Sequence, residues 1–295
     1  MRHVIWIWFE NATYDRIIGA PGSKADRTQP YFNAVARACA SLTHMSAVQH
    51  ASLGNYIAAA TGSPAGIHGG CDPSACPIDR PSIFEQVSSR GGSWRSYQQS
   101  LPSPCLGRDD GRYAVRHDPV PYLTRIRGAC AAGDVPLGSI DSGPLADDIA
   151  TDSLPTFAMV TPDLCSDGHD CPEQRADAWL RRWLPQLVHS SAYARGEVAI
   201  FVTWDEGDRG RAPGVASNAP CPADALRADC HIATLAIAPT IPSGTRISTR
   251  LDHVDILQAT ERMLGLPTLG PRRSTASSLL TTLRISQPKL AATGD

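Results

Sequence analysis

Val4-Ile5-Trp6-Ile7-Trp8-Phe9, followed at once by Glu10-Asn11, is the stretch that decides the fold. A matching run lies far downstream, where Val198-Ala199-Ile200-Phe201-Val202-Thr203-Trp204 leads into Asp205-Glu206. Continuous runs of β-branched and aromatic residues are typical of strands that a parallel sheet buries on both faces. Open α/β sheets bind ligands beyond the carboxyl ends of their strands. Three carboxylates and one amide on one such edge repel each other unless a cation lies among them, so the two pairs predict a metal site.

Strands alternate with helices along the rest of the chain. Apolar runs predict strands at 93–100, 154–161 and 231–239. Helical spacing predicts helices at 30–45, 176–187 and 252–265. Two further helices are expected, one over the alanine-rich stretch that ends at Gly62 and one that begins at Ser82. This alternation predicts an α/β protein, a three-layer α/β/α sandwich around a mostly parallel sheet. We expect one domain over residues 1–285 and a flexible tail over 286–295.

The composition narrows the class of protein. The chain has 295 residues, of which 42% are hydrophobic and 19% charged, as in a globular protein. The net charge of -2 gives no global field that would attract nucleic acid or an anionic membrane. No apolar run approaches the length of a transmembrane helix. We therefore expect a monomer that binds neither nucleic acid nor the membrane interior.

Nine cysteines indicate an oxidising compartment. Zinc is the competing interpretation, but the sequence contains no CxxC spacing, and disulfides are favoured. Arg2-His3 leads directly into the first strand, so we expect that an export signal is missing from the N-terminus shown. The protein is then secreted, periplasmic or held in the cell envelope. The close pairs are Cys71 with Cys76, Cys165 with Cys171, and Cys221 with Cys230; Cys105 with Cys130 is a possible fourth pair, which leaves Cys39 in a predicted helix.

Other polar residues that suggest chemistry follow a strand or open a helix. Ser52 lies three residues before Asn55 at the expected start of a helix, where a serine is ordinarily an N-cap but could also be a nucleophile facing a phosphate. Three histidines in polar loops or at helix starts could bind phosphate or transfer a proton: His117, His169 and His253. Asp163, which follows a strand and a proline, could support one of them or lie behind the residues that contact substrate, and we expect it to contribute to substrate binding with Asn55 and His253.

At these residues the chain resembles the bacterial acid phosphatase / phospholipase C phosphoesterases, a branch of the alkaline phosphatase superfamily. The matching segments occur in order along most of the chain: Glu10-Asn11, His50-Ala51-Ser52-Leu53-Gly54-Asn55-Tyr56, Tyr113-Ala114-Val115-Arg116-His117, Thr161-Pro162-Asp163 with His169-Asp170, Thr203-Trp204-Asp205-Glu206-Gly207-Asp208, and Asp252-His253. The family segment usually reads His-Pro-Ser-x-Pro-Asn. Here Ala51 and Gly54 replace both prolines.

The resemblance implies an alkaline phosphatase-like fold and one divalent ion (Ca²⁺, Mg²⁺, Mn²⁺ or Zn²⁺). Its implied ligands are Glu10, Asn11, Asp205 and Glu206. It makes Ser52 the nucleophile and Asn55 a phosphate contact, with His117, His169 and His253 around the phosphate.

The expected activity is hydrolysis of phosphate monoesters through a phosphoserine, with a protonated His117 or His169 as the acid. The substrate would be a phosphorylated small molecule, sugar or lipid headgroup. A phospholipase C-type phosphodiesterase is the first alternative. A non-catalytic secreted metal-binding protein is the second.

Overall fold

The sheet that organises the molecule is mostly parallel. The computed structural model describes residues 1–207, 219–222, 226–271 and 273–285, and across these residues the central sheet has eight strands. All of them run parallel to one another except the third in the following order. In spatial order they are β10 (Thr245–Ile247), β2 (Ala40–Leu42), β9 (Thr234–Ile237), β7 (Val198–Trp204), β1 (His3–Phe9), β6 (Phe157–Thr161), β4 (Trp94–Gln98) and β5 (Asp134–Pro136). The predicted α/β architecture with a mostly parallel sheet is confirmed.

Helices cover both faces of this sheet. Successive side chains of a strand point to opposite faces. On β1, Trp8 contacts Tyr56 and His253, with ring centroids 4.6 and 4.8 Å away. The next residue, Phe9, contacts Phe32 and Trp179 at 5.2 and 5.8 Å. The two sets of partners therefore lie in separate layers, and the three-layer arrangement expected from the sequence is present.

The helices of the first layer are α4 (Ser52–Thr61), α5 (Ile83–Ser89), α10 (His253–Leu264) and α11 (Thr275–Thr282). Those of the second are α3 (Pro30–Ala38), α8 (Gln174–Val188) and α9 (Ser191–Ala194). Shorter helices are α1 (Tyr14–Ile17), α2 (Lys24–Thr28), α6 (Arg127–Gly133) and α7 (Pro144–Ala150). A small second sheet joins β11 (Leu251–Asp252), β3 (Met45–Ser46) and β8 (His231–Ile232). None of the helices within the described residues is long and apolar enough to cross a membrane.

Two sequence predictions of local structure are wrong. The helix expected over 30–45 ends at Ala38, and Ala40–Leu42 forms β2 because Ala40 and Leu42 are fully buried in the sheet. The strand expected over 231–239 is divided between β8 and β9, and β9 is the antiparallel one. In both places long-range pairing outweighs the local pattern. The tail expected to be flexible, 286–295, lies outside the described residues.

The cysteine pairing matches the expected one. The four disulfides are Cys71–Cys76, Cys105–Cys130, Cys165–Cys171 and Cys221–Cys230. All nine cysteines fall in the described parts of the chain, and Cys39 is the free one, partly buried just after α3.

Candidate active site

The two strand ends quoted at the outset lie side by side. β1 and β7 are neighbours, and their register pairs Phe9 with Trp204, so the residues that follow both strands emerge together. Asp205 N–H donates to the Phe9 carbonyl at 3.0 Å. Asn11 has a φ of 53°, a left-handed conformation that asparagine tolerates, and its backbone N–H donates to Asp205 Oδ1 at 3.1 Å. The structure thus brings the predicted ligand pairs to one edge.

Ser52 joins this edge from the first turn of α4. Its hydroxyl donates to Glu10 Oε2 at 3.0 Å, and its side chain is 7% exposed. Tyr56, one turn further along the same helix face, donates to Glu10 Oε1 at 2.8 Å. Glu10 is therefore held by two hydroxyls of one helix, and the candidate nucleophile touches a candidate metal ligand.

The turn before Ser52 depends on both residues that depart from the family pattern. Ala51 has a φ of 80°, a region that residues with a Cβ rarely adopt, and its N–H donates to Glu206 Oε2 at 2.7 Å. A Cβ on Gly54 would lie 1.9 Å from Gln49 Nε2. That amide is buried and donates to the Ile67 carbonyl at 2.8 Å. Gly54 is needed because Gln49 occupies the space beside it.

Asn55 stabilises the turn before Ser52. Its Oδ1 accepts from the backbone N–H groups of Val48 and Gln49, at 2.9 and 3.1 Å. Its Nδ2 donates to the Gln49 carbonyl at 2.8 Å. A fully buried amide that closes three hydrogen bonds to the backbone positions the loop before Ser52. The contact with phosphate expected from the resemblance stays a prediction.

The edge is strongly acidic and lies away from solvent. Burial, with the charge of Glu206 as the next cause, raises the pKa of Asp205 to about 7. Burial also raises the pKa of Glu10 well above its usual range, and the charges of Asp205 and Asp167 act in the same direction. The pKa of Asp167 is raised by burial too. Carboxylates with such pKa values are destabilised as anions unless positive charge is nearby.

His117 reaches the acidic edge from the other side. Its Nε2 lies 3.5 Å from Glu10 Oε2 and its Nδ1 3.2 Å from Asp167 Oδ2, while its ring stacks on Tyr56. Burial lowers the pKa of His117 well below its usual value, and the charges of Arg116 and His169 lower it further. This shift favours the neutral ring, and the imidazolium expected at this position stays a prediction.

His169 lies beside His117 at the solvent edge, with ring centroids 5.4 Å apart. Its Nδ1 contacts Asp170 Oδ1 at 2.7 Å, and its Nε2 contacts the Arg116 guanidinium at 3.4 Å. Arginine can only donate, so His169 Nε2 accepts there and Nδ1 carries the proton. In this arrangement the imidazole links a carboxylate to a guanidinium.

His253 forms a hydrogen bond with the end of β7. Its Nε2 donates to the Trp204 carbonyl at 2.9 Å, and burial lowers its pKa to about 4. The buried Nδ1 has no hydrogen-bond partner among the described residues. That nitrogen offers a lone pair, which can ligate a metal or accept a proton but cannot donate to phosphate. The phosphate contact expected for His253 stays a prediction.

Asp163 is a turn residue and does not join the cluster. Its Oδ1 accepts from the N–H groups of Cys165 and Ser166, at 3.2 and 2.9 Å, and its Oδ2 accepts from the Ser100 hydroxyl at 2.8 Å. Each carboxylate oxygen is satisfied within the loop it begins. The expected support of a catalytic histidine is instead given by Asp167, four residues further along.

A buried histidine that sequence reasoning did not single out supports Glu206. His50 is fully buried; its Nδ1 lies 3.1 Å from Glu206 Oε2 and its Nε2 2.7 Å from Asp229 Oδ2. Burial alone would lower the pKa of His50, but the hydrogen bonds to the two carboxylates raise it. Arg227 in turn donates to both oxygens of Asp229. The only signal in the sequence was the position of His50 two residues before Ser52.

The residues present fit a hard divalent cation. Among the described residues, Asp205 Oδ2 is buried without a hydrogen-bond partner, and the buried Asp167 Oδ2 has only His117 Nδ1 beside it, 3.2 Å away. Carboxylate oxygens are the ligands that Ca²⁺, Mg²⁺ and Mn²⁺ prefer. Two tighter groups of possible ligands, His50–Cys221–Cys230 and Cys105–Cys130–Asp134, contain disulfide-bonded cysteines, which offer no thiolate. The strand-end carboxylates lie outside both groups and are the better candidates.

Solved structures share this architecture. A protein of the alkaline phosphatase superfamily from Vibrio parahaemolyticus superimposes with a TM-score of 0.60 and 12% identity, covering 90% of this chain and 67% of its own. The lipoteichoic acid synthase LtaP of Listeria monocytogenes gives 0.61 and 11%, covering 90% and 72%. The fold is thus that of alkaline phosphatase-superfamily enzymes.

Sequence relatives identify the family. The model of the Phosphoesterase family matches residues 23–267, so the chain belongs to the Phosphoesterase family and is a phosphoric ester hydrolase. It is 26% identical over 279 residues to the phosphatidylinositol-3-phosphatase of Mycobacterium tuberculosis, covering 91% of this chain and 78% of that protein. It is 24% identical over 276 residues to an acid phosphatase of Aspergillus fumigatus, covering 90% of this chain but 55% of the fungal protein. The chain therefore spans little more than half of that fungal relative.

Proposed function

We propose that this protein hydrolyses phosphate monoesters through a phosphoserine at Ser52, beside one divalent cation held by Glu10, Asn11, Asp205 and Glu206. The observation that carries the proposal is the contact of the Ser52 hydroxyl with Glu10 Oε2 at the shared end of β1 and β7. When bound, a divalent cation neutralises charge on phosphoryl oxygens and lowers the pKa of a neighbouring hydroxyl.

The protein's own groups account for the first proton transfer. Ser52 Oγ already donates to Glu10 Oε2, so the carboxylate gives the departing proton an acceptor as Oγ attacks phosphorus. Tyr56 holds the other oxygen of Glu10 and fixes its orientation. The N-terminal N–H groups of α4 face the same space and favour an anion there.

Two imidazoles serve the later proton transfers. His169 contacts Asp170, a carboxylate that stabilises the ring once it is protonated, so His169 is the proposed acid for the leaving oxygen. His117 is neutral and its Nε2 has no hydrogen-bond partner in the described structure, so it is the proposed base for the water that cleaves the phosphoserine.

The substrate is proposed to be a phosphorylated small molecule, sugar or lipid headgroup. The mycobacterial relative is named a phosphatidylinositol-3-phosphatase and the fungal one an acid phosphatase, which supports monoesters above diesters. The four disulfides support a secreted, periplasmic or cell-envelope location.

The decisive experiment is Ser52→Ala with p-nitrophenyl phosphate as substrate. We expect turnover to fall by about three orders of magnitude or more, as for the loss of other nucleophiles, while metal content and thermal stability stay close to wild type. Ser46→Ala is the matched control, because it also removes a buried hydroxyl, one that donates to the Ala47 carbonyl away from the acidic edge. Unchanged turnover in Ser52→Ala would refute the assignment of the nucleophile, and absence of turnover in the wild-type protein would favour a non-catalytic metal-binding protein.

Two further measurements test the remaining parts of the proposal. Treatment with a chelator should abolish turnover, and return of Ca²⁺, Mg²⁺, Mn²⁺ or Zn²⁺ one at a time should identify the ion that restores it. Faster hydrolysis of bis-p-nitrophenyl phosphate than of p-nitrophenyl phosphate would overturn the monoester preference and indicate a phosphodiesterase.

A further inference from the structure

A second polar cavity lies beside the loop that carries Asp167 and His169. It has a volume of about 450 Å³. One wall is a face of α8 that includes Arg175 and Arg182, and the opposite wall includes Arg112 and Ser166. We call this cavity the arginine cleft.

The three arginines of the cleft have no partner of opposite charge. Within the described residues, no carboxylate lies within ion-pair distance of Arg112, Arg175 or Arg182, and none of the three side chains donates a hydrogen bond. Several arginines elsewhere are paired: Arg195, for example, contacts both Asp152 and Glu197. The chain has 29 acidic and 27 basic residues, so partners are not scarce. Three guanidinium groups around one cavity repel each other, and an anion in the cleft would remove that repulsion.

The spacing of residues along α8 places both of its arginines at the cleft. Arg175, Ala178, Trp179 and Arg182 recur at helical spacing and share one face. The small Ala178 leaves room between the two arginines. Trp179 and Trp183 stack with ring centroids 5.7 Å apart and form a buried apolar floor. An apolar floor lowers the local dielectric constant and strengthens the attraction between guanidinium groups and an anion.

The nearest carboxylate of the loop does not compete for these arginines. Both carboxylate oxygens of Asp163 accept hydrogen bonds, from Ser100, Cys165 and Ser166. No acidic residue lines the cleft among the residues that the structure describes.

We infer that the arginine cleft binds a phosphate-type oxyanion at a site separate from Ser52. Guanidinium groups offer paired N–H donors that match the oxygens of a phosphate group, and such bonds are about twice as strong as neutral ones. The ligand is either free phosphate or the phosphate of a lipid headgroup.

Two chain segments connect the cleft to the active site. Leu164 N–H donates to the Arg112 carbonyl at 3.1 Å, which joins the loop that begins at Asp163 to the segment that ends in Arg116 and His117. Asp167 and His169 follow on the same loop. A phosphate held by the cleft would therefore brace the loop that carries these two side chains.

The test compares Arg175→Gln/Arg182→Gln with wild type in two binding assays. The first is calorimetric titration with inorganic phosphate at low ionic strength, since exposed charges are screened by salt. The second is co-sedimentation with phosphatidylcholine vesicles that contain phosphatidic acid, with pure phosphatidylcholine vesicles as the blank. Arg181→Gln/Arg246→Gln is the control, because it removes the same charge from exposed positions outside the cleft. Arg112→Gln provides an independent variant from the other wall.

We expect the double variant to lose one phosphate site per chain, or to bind it about tenfold more weakly, while the control binds as wild type does. Loss in the titration identifies free phosphate as a sufficient ligand. Loss in the vesicle assay alone identifies the lipid headgroup. Binding equal to wild type in both assays, or an equal loss in the control, would overturn the inference.

Discussion

Gly54→Ala is the change whose cost follows most directly from the structure. The added Cβ would meet Gln49 Nε2 at 1.9 Å and Gln49 Cδ at 2.5 Å. The end of a glutamine side chain can ordinarily move aside. Here it is buried, and its amide donates to the Ile67 carbonyl, so moving it breaks a hydrogen bond that water cannot replace.

The change in the free energy of unfolding caused by Gly54→Ala is the sum of opposing contributions. Leaving the Ile67 carbonyl unsatisfied costs about 1–3 kcal/mol, and the lost hydrogen bond contributes about 1 kcal/mol more. Alanine gains up to about 1 kcal/mol over glycine in a helix. We therefore expect Gly54→Ala to lower the free energy of unfolding by about 1–3 kcal/mol. Turnover should fall with it, because Gln49 also belongs to the loop that Asn55 holds before Ser52.

Urea denaturation with the disulfides intact measures this cost, and a double-mutant cycle assigns it. In a Gln49→Ala background the space beside position 54 is empty, so Gly54→Ala should there be neutral or slightly stabilising. The coupling energy between the two positions should be about 2 kcal/mol. Gly128→Ala is the matched control: it also lies in a first helical turn, and its added Cβ would meet no atom within 4 Å.

Additivity of Gly54→Ala and Gln49→Ala to within about 0.5 kcal/mol would refute the reasoning. The same conclusion would follow if Gly54→Ala were as well tolerated as Gly128→Ala. In either case Gln49 would not be what excludes a side chain at position 54.

Three further predictions concern buried groups. In chelator-treated protein, folding raises the pKa of Asp205 to about 7, so the native state holds an extra proton and loses stability as pH rises from about 4 to 7. The melting temperature of Asp205→Asn should therefore rise relative to that of wild type over this pH range. Parallel plots of melting temperature against pH would contradict this. Asp229→Ala leaves the buried His50 Nε2 without its carboxylate and should cost about 3 kcal/mol in urea denaturation, whereas exposed Asp141→Ala should cost almost nothing. Burial raises the pKa of the Cys39 thiol, so a disulfide reagent at pH 8 should react slowly with the native protein. In denaturant the reagent should react with one thiol per chain. Rapid reaction of the native form would show that the thiol is accessible.

The parts of the fold that the sequence predicted are those fixed by local pattern. The runs that became β1 and β7 are apolar at every position except His3 and Thr203, which predicts buried strands, and the polar residues after them were therefore expected at the sheet edge. The close cysteine pairs could be predicted for the same reason, because the two partners of each pair are near each other in sequence. β2 escaped prediction, and β9 was predicted only as part of a longer strand, because Ala40 and Leu235 owe their conformation to pairing across the sheet with partners far away in sequence.

The candidate site divides in the same way. Motif spacing located Ser52 and the acidic residues, but it did not reveal how their neighbours are used. Asn55 was expected at the phosphate, and the backbone loop that it closes was not predicted, because that loop depends on the path of Val48 and Gln49. The support of Glu206 by His50 and Asp229 joins residues from three distant segments. No local pattern in the sequence encodes such contacts.

The two departures from the family's proline pattern are connected through this support. Proline has no N–H and fixes φ near -65°, whereas Ala51 has a φ of 80° and donates its N–H to Glu206 Oε2. The alanine therefore ties the nucleophile turn to a proposed metal ligand by a bond that proline cannot make. Because Gly54 has no side chain, the side chain of Gln49 fits beside it and donates to the Ile67 carbonyl, which stabilises the same turn. In this chain, hydrogen bonds replace ring rigidity as the means of holding Ser52 against Glu10.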